Sequence, residues 1–124
     1  MDYIMVIDDS ATIRASVEIV VKSTGYENIK LAEDGIDALN KIDELKSNGD
    51  DVSLCITDIN MPNMDGISFI KEFRKKDKFT PILVLTTECG DKMISEGRSL
   101  GASGWVVKPF KPDDFIKAMN RLVK

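Results

Sequence analysis

The sequence predicts an α/β fold in which five parallel strands form a doubly wound sheet with helices on both faces. Short apolar runs of strand length alternate five times with longer segments whose apolar residues recur at helical spacing. Polar connections and turn residues separate these segments. The chain has 124 residues, of which 43% are hydrophobic, so 1–124 has the size of a single domain with one core.

The first strand and helix lie at the N-terminal end of the chain. A predicted strand at Tyr3–Ile7 ends at the acidic pair Asp8-Asp9. Ser10 stands in the N-cap position of the following helix, and Gly25 stops that helix. The apolar residues of this helix share one face: Ile13, Val17, Val20 and Val21.

The second and third units repeat this arrangement. The second strand is Ile29–Ala32, and the third, Val52–Thr57, is apolar enough to be buried on both faces of a sheet. Asp34 and Asp65 are the predicted N-caps of the two helices that follow. The inward-facing residues are Leu39, Ile42 and Leu45 in the second helix and Ile67, Ile70 and Phe73 in the third.

The fourth and fifth strands complete the alternation. The fourth strand, Ile82–Leu85, ends at Thr86-Thr87, and the fifth, Gly104–Val107, ends at Lys108-Pro109. Pro112 suits the first turn of the last helix, where its missing N–H costs nothing. That helix carries an apolar stripe: Phe115, Ile116, Met119 and Leu122.

The fourth helix has poor helix propensity. Its inward-facing residues would be Met93, Gly97 and Leu100. A glycine in a helix interior costs about 1 kcal/mol relative to alanine. We expect this cost at three positions: Gly90, Gly97 and Gly101.

The composition argues against several classes of function. The net charge is −4, and the 17 basic residues are scattered, which argues against a nucleic-acid groove. The chain has no apolar run near the ~18 residues that a membrane span needs, and Met1-Asp2-Tyr3 leads directly into a strand without a signal peptide. We therefore expect a cytoplasmic, monomeric protein with neither nucleic acid nor membrane as a partner.

The residues available for chemistry are mainly carboxylates. The sequence contains no histidine, which removes the commonest general base and the commonest zinc ligand. Its two cysteines, Cys55 and Cys89, form neither a disulfide framework nor a metal-ligand spacing. The reactive groups should therefore be sought among the acidic residues.

Several polar residues share one position relative to the predicted strands. Asp8-Asp9, Asp58, Thr86 and Lys108 each come just after a strand. Because the carboxyl ends of parallel strands lie along the same edge of a sheet, these side chains should meet there. We interpret Asp58, where a buried strand breaks into an Asn-, Pro- and Gly-rich loop, as the reacting group.

Three clustered carboxylates require a cation, because like charges at short range raise one another's pKa. Oxygen ligands without His or Cys suit Mg²⁺, which would be held by Asp9 and Asp58 with Asp8 acting through water. The ion would bridge an incoming phosphoryl oxygen for in-line attack by Asp58. Lys108 would then pair with the phosphoryl group and Thr86 would hydrogen-bond it, leaving an acyl phosphate on Asp58.

These residues resemble the receiver domain of two-component response regulators, and the resemblance covers the whole chain. It rests on Asp8-Asp9, on Asp58 within Thr-Asp-Ile-Asn-Met-Pro-Asn-Met-Asp-Gly, on Thr86, and on Lys108-Pro109-Phe110. The segment Gly-Ala-Ser-Gly-Trp-Val-Val-Lys-Pro-Phe is most similar to the stand-alone chemotaxis regulators of that family. The resemblance, and not the residues alone, implies a flavodoxin-like sheet with strand order 2-1-3-4-5.

The resemblance also implies specific roles within the site. It makes Asp58 the phosphoacceptor, Asp9 and Asp58 side-chain ligands of Mg²⁺, Asn60 a ligand through its backbone carbonyl, and Asp8 an acid that acts indirectly. It implies a cis peptide bond between Lys108 and Pro109. Asn60 and Glu88, two residues beyond Asp58 and Thr86, either tune hydrolysis or have only a surface role.

In similar proteins, phosphorylation is read through a switch. Thr86 moves toward the phosphoryl group and the aromatic residue at position 105 turns inward, which alters the surface of helix 4, strand 5 and helix 5. Trp105 replaces the Tyr or Phe most often found there, and its indole is larger and must place its N–H. The implied partners are a histidine kinase of the chemotaxis type, the flagellar motor switch protein and a phosphatase.

Other interpretations remain open at this stage. Within the family, the chain is alternatively a phosphorelay shuttle or a receiver cut from a larger regulator. Outside it, a flavin carrier would need amides for a phosphate after the first strand, where Asp8-Asp9 would repel it. An aspartate-based phosphatase would have its nucleophile after the first strand and a lid over its substrate. We therefore expect a signalling receiver that promotes its own phosphotransfer, not an enzyme, whose output is a protein contact.

Overall fold

The computed structural model describes residues 1–123, and Lys124, the last residue of the predicted domain, lies outside them. Five parallel strands form one sheet in the order β2-β1-β3-β4-β5, which confirms the predicted fold class. The elements in chain order are β1 (Asp2–Ile7), α1 (Ala11–Ser23), β2 (Ile29–Ala32), α2 (Gly35–Ser47), β3 (Asp51–Thr57), α3 (Gly66–Lys76), β4 (Ile82–Thr86), α4 (Asp91–Leu100), β5 (Gly104–Val107) and α5 (Pro112–Leu122).

The three predicted N-caps begin their helices through side-chain hydrogen bonds. The Ser10 hydroxyl accepts from the Ile13 N–H at 3.3 Å. The Asp34 carboxylate caps α2 at 2.8 Å, and the Asp65 carboxylate caps α3 at 2.7 Å. Each bond satisfies a backbone donor that has no partner within the first helical turn. The starts of α1, α2 and α3 are therefore set by local sequence.

The prediction that three glycines destabilise the interior of the fourth helix was wrong for two of them. Gly90 is the N-cap of α4 and Gly101 is its C-cap, so neither lies in the helix interior. Gly101 has φ +118°, a left-handed conformation that favours glycine over residues with a Cβ. Gly97 alone of the three is an interior residue of α4, and it is buried.

The sheet separates two hydrophobic cores, so the expectation of one core was wrong. Alternate residues of β1 point to opposite faces, so that Met5 belongs to one core and Ile4 to the other. Helices α2 and α3 cover the first core, and the third helix buries Phe69 in addition to the predicted Ile70 and Phe73. Helices α1 and α5 cover the second core with four buried residues: Val17, Val21, Phe115 and Met119.

The strand order places β1 and β3 side by side near the middle of the sheet. In register, Ile7 lies opposite Thr57, Thr57 opposite Val84, and Thr86 opposite Val107. The residues that follow these positions therefore come to the same edge, as the alternation of strands and helices requires. No helix within residues 1–123 is both long and apolar enough to span a bilayer.

Candidate phosphoacceptor and metal site

The carboxyl edge of the sheet brings three acidic side chains together. Carboxylate oxygens of Asp8, Asp9 and Asp58 all lie within 4.8 Å of one another. Asp8 and Asp58 follow neighbouring strands, and the Asp58 N–H donates to the Ile7 carbonyl at 3.0 Å, which continues the β1–β3 ladder by one step. Asp8 is buried, Asp58 is partly buried and Asp9 is exposed, so the cluster opens to solvent on the Asp9 side.

Lys108 joins this acidic cluster from the end of β5. Its ammonium donates to Oδ2 of Asp8 at 2.7 Å and to Oδ2 of Asp58 at 3.2 Å. The Lys108 N–H bonds the Thr86 carbonyl at 2.8 Å, which fixes its backbone, and the Lys108-Pro109 peptide bond is cis, as the resemblance implied. One ammonium therefore contacts two of the three carboxylates in the cluster.

The pKa values of Asp8 and Lys108 are both raised, but for different reasons. Burial raises the pKa of Asp8 above its ordinary 3.8, and the hydrogen bond from Lys108 offsets this only in part. Burial by itself lowers the pKa of Lys108, but its contacts with Asp8 and Asp58 outweigh this effect and raise that pKa. The site therefore favours the charged form of Lys108 and disfavours the charged form of Asp8.

The Asp58 carboxylate is held by the backbone of the next residue as well as by Lys108. Its Oδ1 accepts from the Ile59 N–H at 2.6 Å, while Oδ2 faces Lys108. The β3–α3 loop then folds back tightly, because the Gly66 N–H donates to the Ile59 carbonyl at 2.8 Å. A Cβ at Gly66 would overlap the Asp58 carbonyl oxygen, so only glycine fits this close approach. From the sequence alone, Gly66 stands out only as part of the motif that follows Asp58.

Asp8 is positioned by two donors that the sequence did not single out for this role. The Ser10 N–H donates to Oδ1 of Asp8 at 2.9 Å. Arg14, one turn into α1, donates from Nη1 to the Asp8 carbonyl at 2.6 Å. The spacing of Arg14 from Asp8 gave no signal of this bond, because it depends on how α1 packs against the sheet. Together these bonds hold the side chain and the backbone of Asp8 after β1.

Thr86 is fully buried and is the last residue of β4. The sequence had predicted it to lie just beyond the strand. Its hydroxyl accepts from the Glu88 N–H at 3.3 Å. Glu88 also accepts a hydrogen bond at Oε1 from the Asn60 amide at 2.9 Å and one at its carbonyl from the indole N–H of Trp105 at 2.8 Å. Glu88 therefore connects Thr86, Asn60 and Trp105.

Known proteins are similar to this chain in sequence. The model of the response regulator receiver domain matches residues 4–120. The chemotaxis protein CheY1 of Helicobacter pylori is 35% identical over 111 residues, covering 88% of this chain and 86% of the relative. The chemotaxis protein CheY of Thermotoga maritima is 33% identical over 121 residues, covering 98% of this chain and 97% of the relative.

A solved structure extends this similarity to the fold. The Vibrio cholerae chemotaxis protein CheY4 is 38% identical to this chain, has a TM-score of 0.88 and covers 99% of both chains. The matched family region includes all three acids of the cluster as well as Thr86 and Lys108. The chain belongs to the response regulator receiver domain family, and the relatives it resembles are chemotaxis proteins of the CheY type.

Proposed function

We propose that this chain is a cytoplasmic response regulator that accepts a phosphoryl group on Asp58 from a histidine kinase and then binds a target protein. The single observation that carries the proposal is the contact of the Lys108 ammonium with both Asp8 and Asp58 beside Asp9. This arrangement offers a carboxylate nucleophile, a cation for phosphoryl oxygens and an open acidic side. The chemotaxis relatives support control of the flagellar motor as the output.

The donor set fits Mg²⁺. The site contains three carboxylates and one ammonium, which leaves an excess of two negative charges if all three acids are ionised. The ligand atoms are hard oxygens, and Asp9 is exposed enough to leave room for the waters that Mg²⁺ retains. We assign Asp9, Asp58 and the Asn60 backbone carbonyl as ligands, with Asp8 acting through water. When bound, the ion supplies charge neutralisation for incoming phosphoryl oxygens.

The chain's own residues then carry out the transfer. A carboxylate oxygen of Asp58 attacks phosphorus in line, and the P–N bond of the donor phosphohistidine breaks. The bonding electron pair leaves with the donor imidazole, which takes a proton from solvent. Lys108 exchanges its contact with Asp58 for one with a phosphoryl oxygen. The Thr86 hydroxyl turns away from the Glu88 N–H and hydrogen-bonds a second phosphoryl oxygen.

Thr86 and Trp105 link this event to the α4, β5 and α5 face. Both contact Glu88, so a movement of Thr86 changes the loop that holds the indole. The exposed part of that face is then altered for a target, for which the motor switch protein is our choice. A kinase of the chemotaxis type supplies the phosphoryl group, and a phosphatase removes it.

A labelling experiment tests the proposal. Acetyl phosphate with Mg²⁺ should add one phosphoryl group to the parent chain by intact mass, and none to Asp58→Asn. Asp65→Asn is the matched control, because Asp65 lies in the same loop and only caps α3. Equal labelling of Asp58→Asn and the parent would refute the assignment. Pull-down with and without beryllofluoride then separates a motor-switch target from a phosphotransfer protein of a relay.

A further inference from the structure

The buried glycine of α4 lies directly against the tryptophan of β5. A Cβ built on Gly97 would lie 2.6 Å from Cζ3 of Trp105 and 3.5 Å from Cε3 and Cη2. The shortest of these distances is well inside van der Waals contact, and an aromatic ring cannot bend away from it. The outer edge of the indole therefore occupies the space that a side chain at position 97 would take.

The opposite side of the indole is also held. Nε1 of Trp105 donates to the Glu88 carbonyl at 2.8 Å, and the ring is half-buried against the core on the α2 and α3 side. A ring fixed at its nitrogen and filling the space beside Gly97 cannot move at one end without disturbing the other. A displaced indole would lose the hydrogen bond to Glu88.

Glu88 extends this contact to the loops beside Asp58. Its N–H donates to the Thr86 hydroxyl at 3.3 Å, and its Oε1 accepts from the Asn60 amide at 2.9 Å. Asn60 follows Asp58 by two residues. The position of the indole is therefore connected, through hydrogen bonds of a single residue, to the loops that follow β3 and β4.

We infer that Gly97 is a positioning residue. Because it has no side chain, the indole of Trp105 fits beside it and keeps its hydrogen bond with Glu88. That bond in turn fixes the β4–α4 loop beside Asp58. Glycine is disfavoured in a helix interior, and the indole explains its presence in α4. The pair is matched in size: the larger aromatic ring at position 105 needs the smallest residue at position 97. The bearing on signalling rests on the proposed function, whereas the placement of the indole does not.

A double-mutant cycle on thermal unfolding tests the size match. For an unobstructed helix, Gly97→Ala should raise the unfolding temperature, because alanine favours the helix. Against Trp105 we expect the opposite, a fall of a few degrees. In a Trp105→Phe background, which lacks the outer edge of the indole, Gly97→Ala should raise the unfolding temperature. A rise of similar size in both backgrounds would overturn the inference.

The fluorescence of Trp105, the only tryptophan, measures where the ring goes. In Gly97→Ala without metal or phosphodonor, we expect red-shifted emission and stronger quenching by iodide than in the parent. Ser95→Ala, an exposed position of the same helix, is the control and should leave both properties unchanged. Parent-like emission and quenching in Gly97→Ala would count against displacement of the ring.

NMR of the Asn60 side-chain amide tests the connection to the Asp58 loop. Its resonances should move in Gly97→Ala and stay in place in Ser95→Ala. Unmoved resonances with a displaced indole would overturn the connection between Gly97 and the loop. If Gly97→Ala does not fold, folding of Gly97→Ala/Trp105→Phe supports the inference and failure of both contradicts it. None of these measurements uses phosphorylation, so a failure of Asp58 labelling remains a separate result.

Discussion

The Lys108 ammonium donates a hydrogen bond to Asp8 at 2.7 Å across 100 positions of the chain. Neither side chain is more than 13% exposed. Charges held this far from solvent interact more strongly than a surface ion pair, but each costs desolvation free energy that its polar partners must offset. This contact therefore makes the sheet edge sensitive to the loss of either partner and to any added cation.

Lys108→Met should destabilise the metal-free chain by about 3 kcal/mol, because the enclosed carboxylates of Asp8 and Asp58 lose their cation. Added Mg²⁺ should recover much of this loss, since a divalent ion neutralises the same carboxylates. Urea unfolding with EDTA and with Mg²⁺ measures both values. Lys111→Met is the control, because Lys111 is an exposed residue preceding α5 and should change stability little. A loss that Mg²⁺ leaves unchanged would separate Lys108 from the metal site.

Mg²⁺ should stabilise the parent chain in a concentration-dependent manner. An ion that binds only the folded state adds about 2.7 kcal/mol to the free energy of unfolding when its free concentration is 100 times its Kd. Asp9→Asn should remove most of this gain, because it deletes the exposed carboxylate of the cluster. Asp43→Asn, an exposed acid of α2 whose side chain pairs with Lys76, should keep it. Thermal unfolding at several Mg²⁺ concentrations provides the comparison.

Gly66→Ala should destabilise the chain by about 2 kcal/mol, because the new methyl group overlaps the Asp58 carbonyl and the loop must shift. The shift also moves the Asp58 carboxylate, so labelling by acetyl phosphate should slow by more than about tenfold. Gly90→Ala tests the specificity of this effect, since nothing lies within 4 Å of a Cβ there. Normal labelling of Gly66→Ala would show that the loop accommodates a side chain.

Trp105 emission should change when Mg²⁺ and acetyl phosphate are added to the parent chain. The indole N–H bonds the Glu88 carbonyl, and Glu88 contacts Thr86, which the proposal moves on phosphorylation. When Mg²⁺ and acetyl phosphate are added to Asp58→Asn, only the part of the emission change that is due to the metal should remain. An unchanged spectrum in protein whose phosphorylation is verified by mass would remove Trp105 from the switch.

Asp77, which is not part of the acidic cluster, should make the free energy of unfolding depend on pH. Burial by itself raises its pKa, but hydrogen bonds from the Thr80 hydroxyl and from the Thr80 and Phe79 N–H groups outweigh this and lower the pKa from 3.8 to about 2. The folded chain therefore releases this proton more readily than the unfolded chain. The resulting stability is complete above the unfolded pKa and is lost as pH falls from about 4 to about 2.

Asp77→Asn should accordingly cost about 1–2 kcal/mol at neutral pH, and this cost should shrink toward zero at about pH 2. Urea unfolding of parent and variant across this range measures the difference. Asp43→Asn serves again as the control, because the ion pair of Asp43 is exposed and contributes little. A cost that stays constant with pH would show that the side chain's shape, and not its charge, stabilises this turn.

The alternation of strands and helices was predictable because it depends on periodicity, which is a local property of the sequence. The N-caps at Ser10, Asp34 and Asp65 were predictable for the same reason, since each contacts a backbone N–H three residues ahead. The wrong prediction for α4 also concerned a local property, the position of the helix ends. Gly90 and Gly101 lie just outside the helix, and helix boundaries are the least certain part of such a prediction.

The sequence by itself determined which residues follow strand ends, and therefore that Asp8, Asp58 and Lys108 share one edge of the sheet. Only the tertiary structure decided that Lys108 reaches both acids, that Arg14 orients Asp8, and that Gly97 leaves space for Trp105. The reason is physical. Periodicity and capping involve residues a few positions apart, whereas these contacts depend on how whole helices pack on the sheet, which no short stretch of sequence encodes.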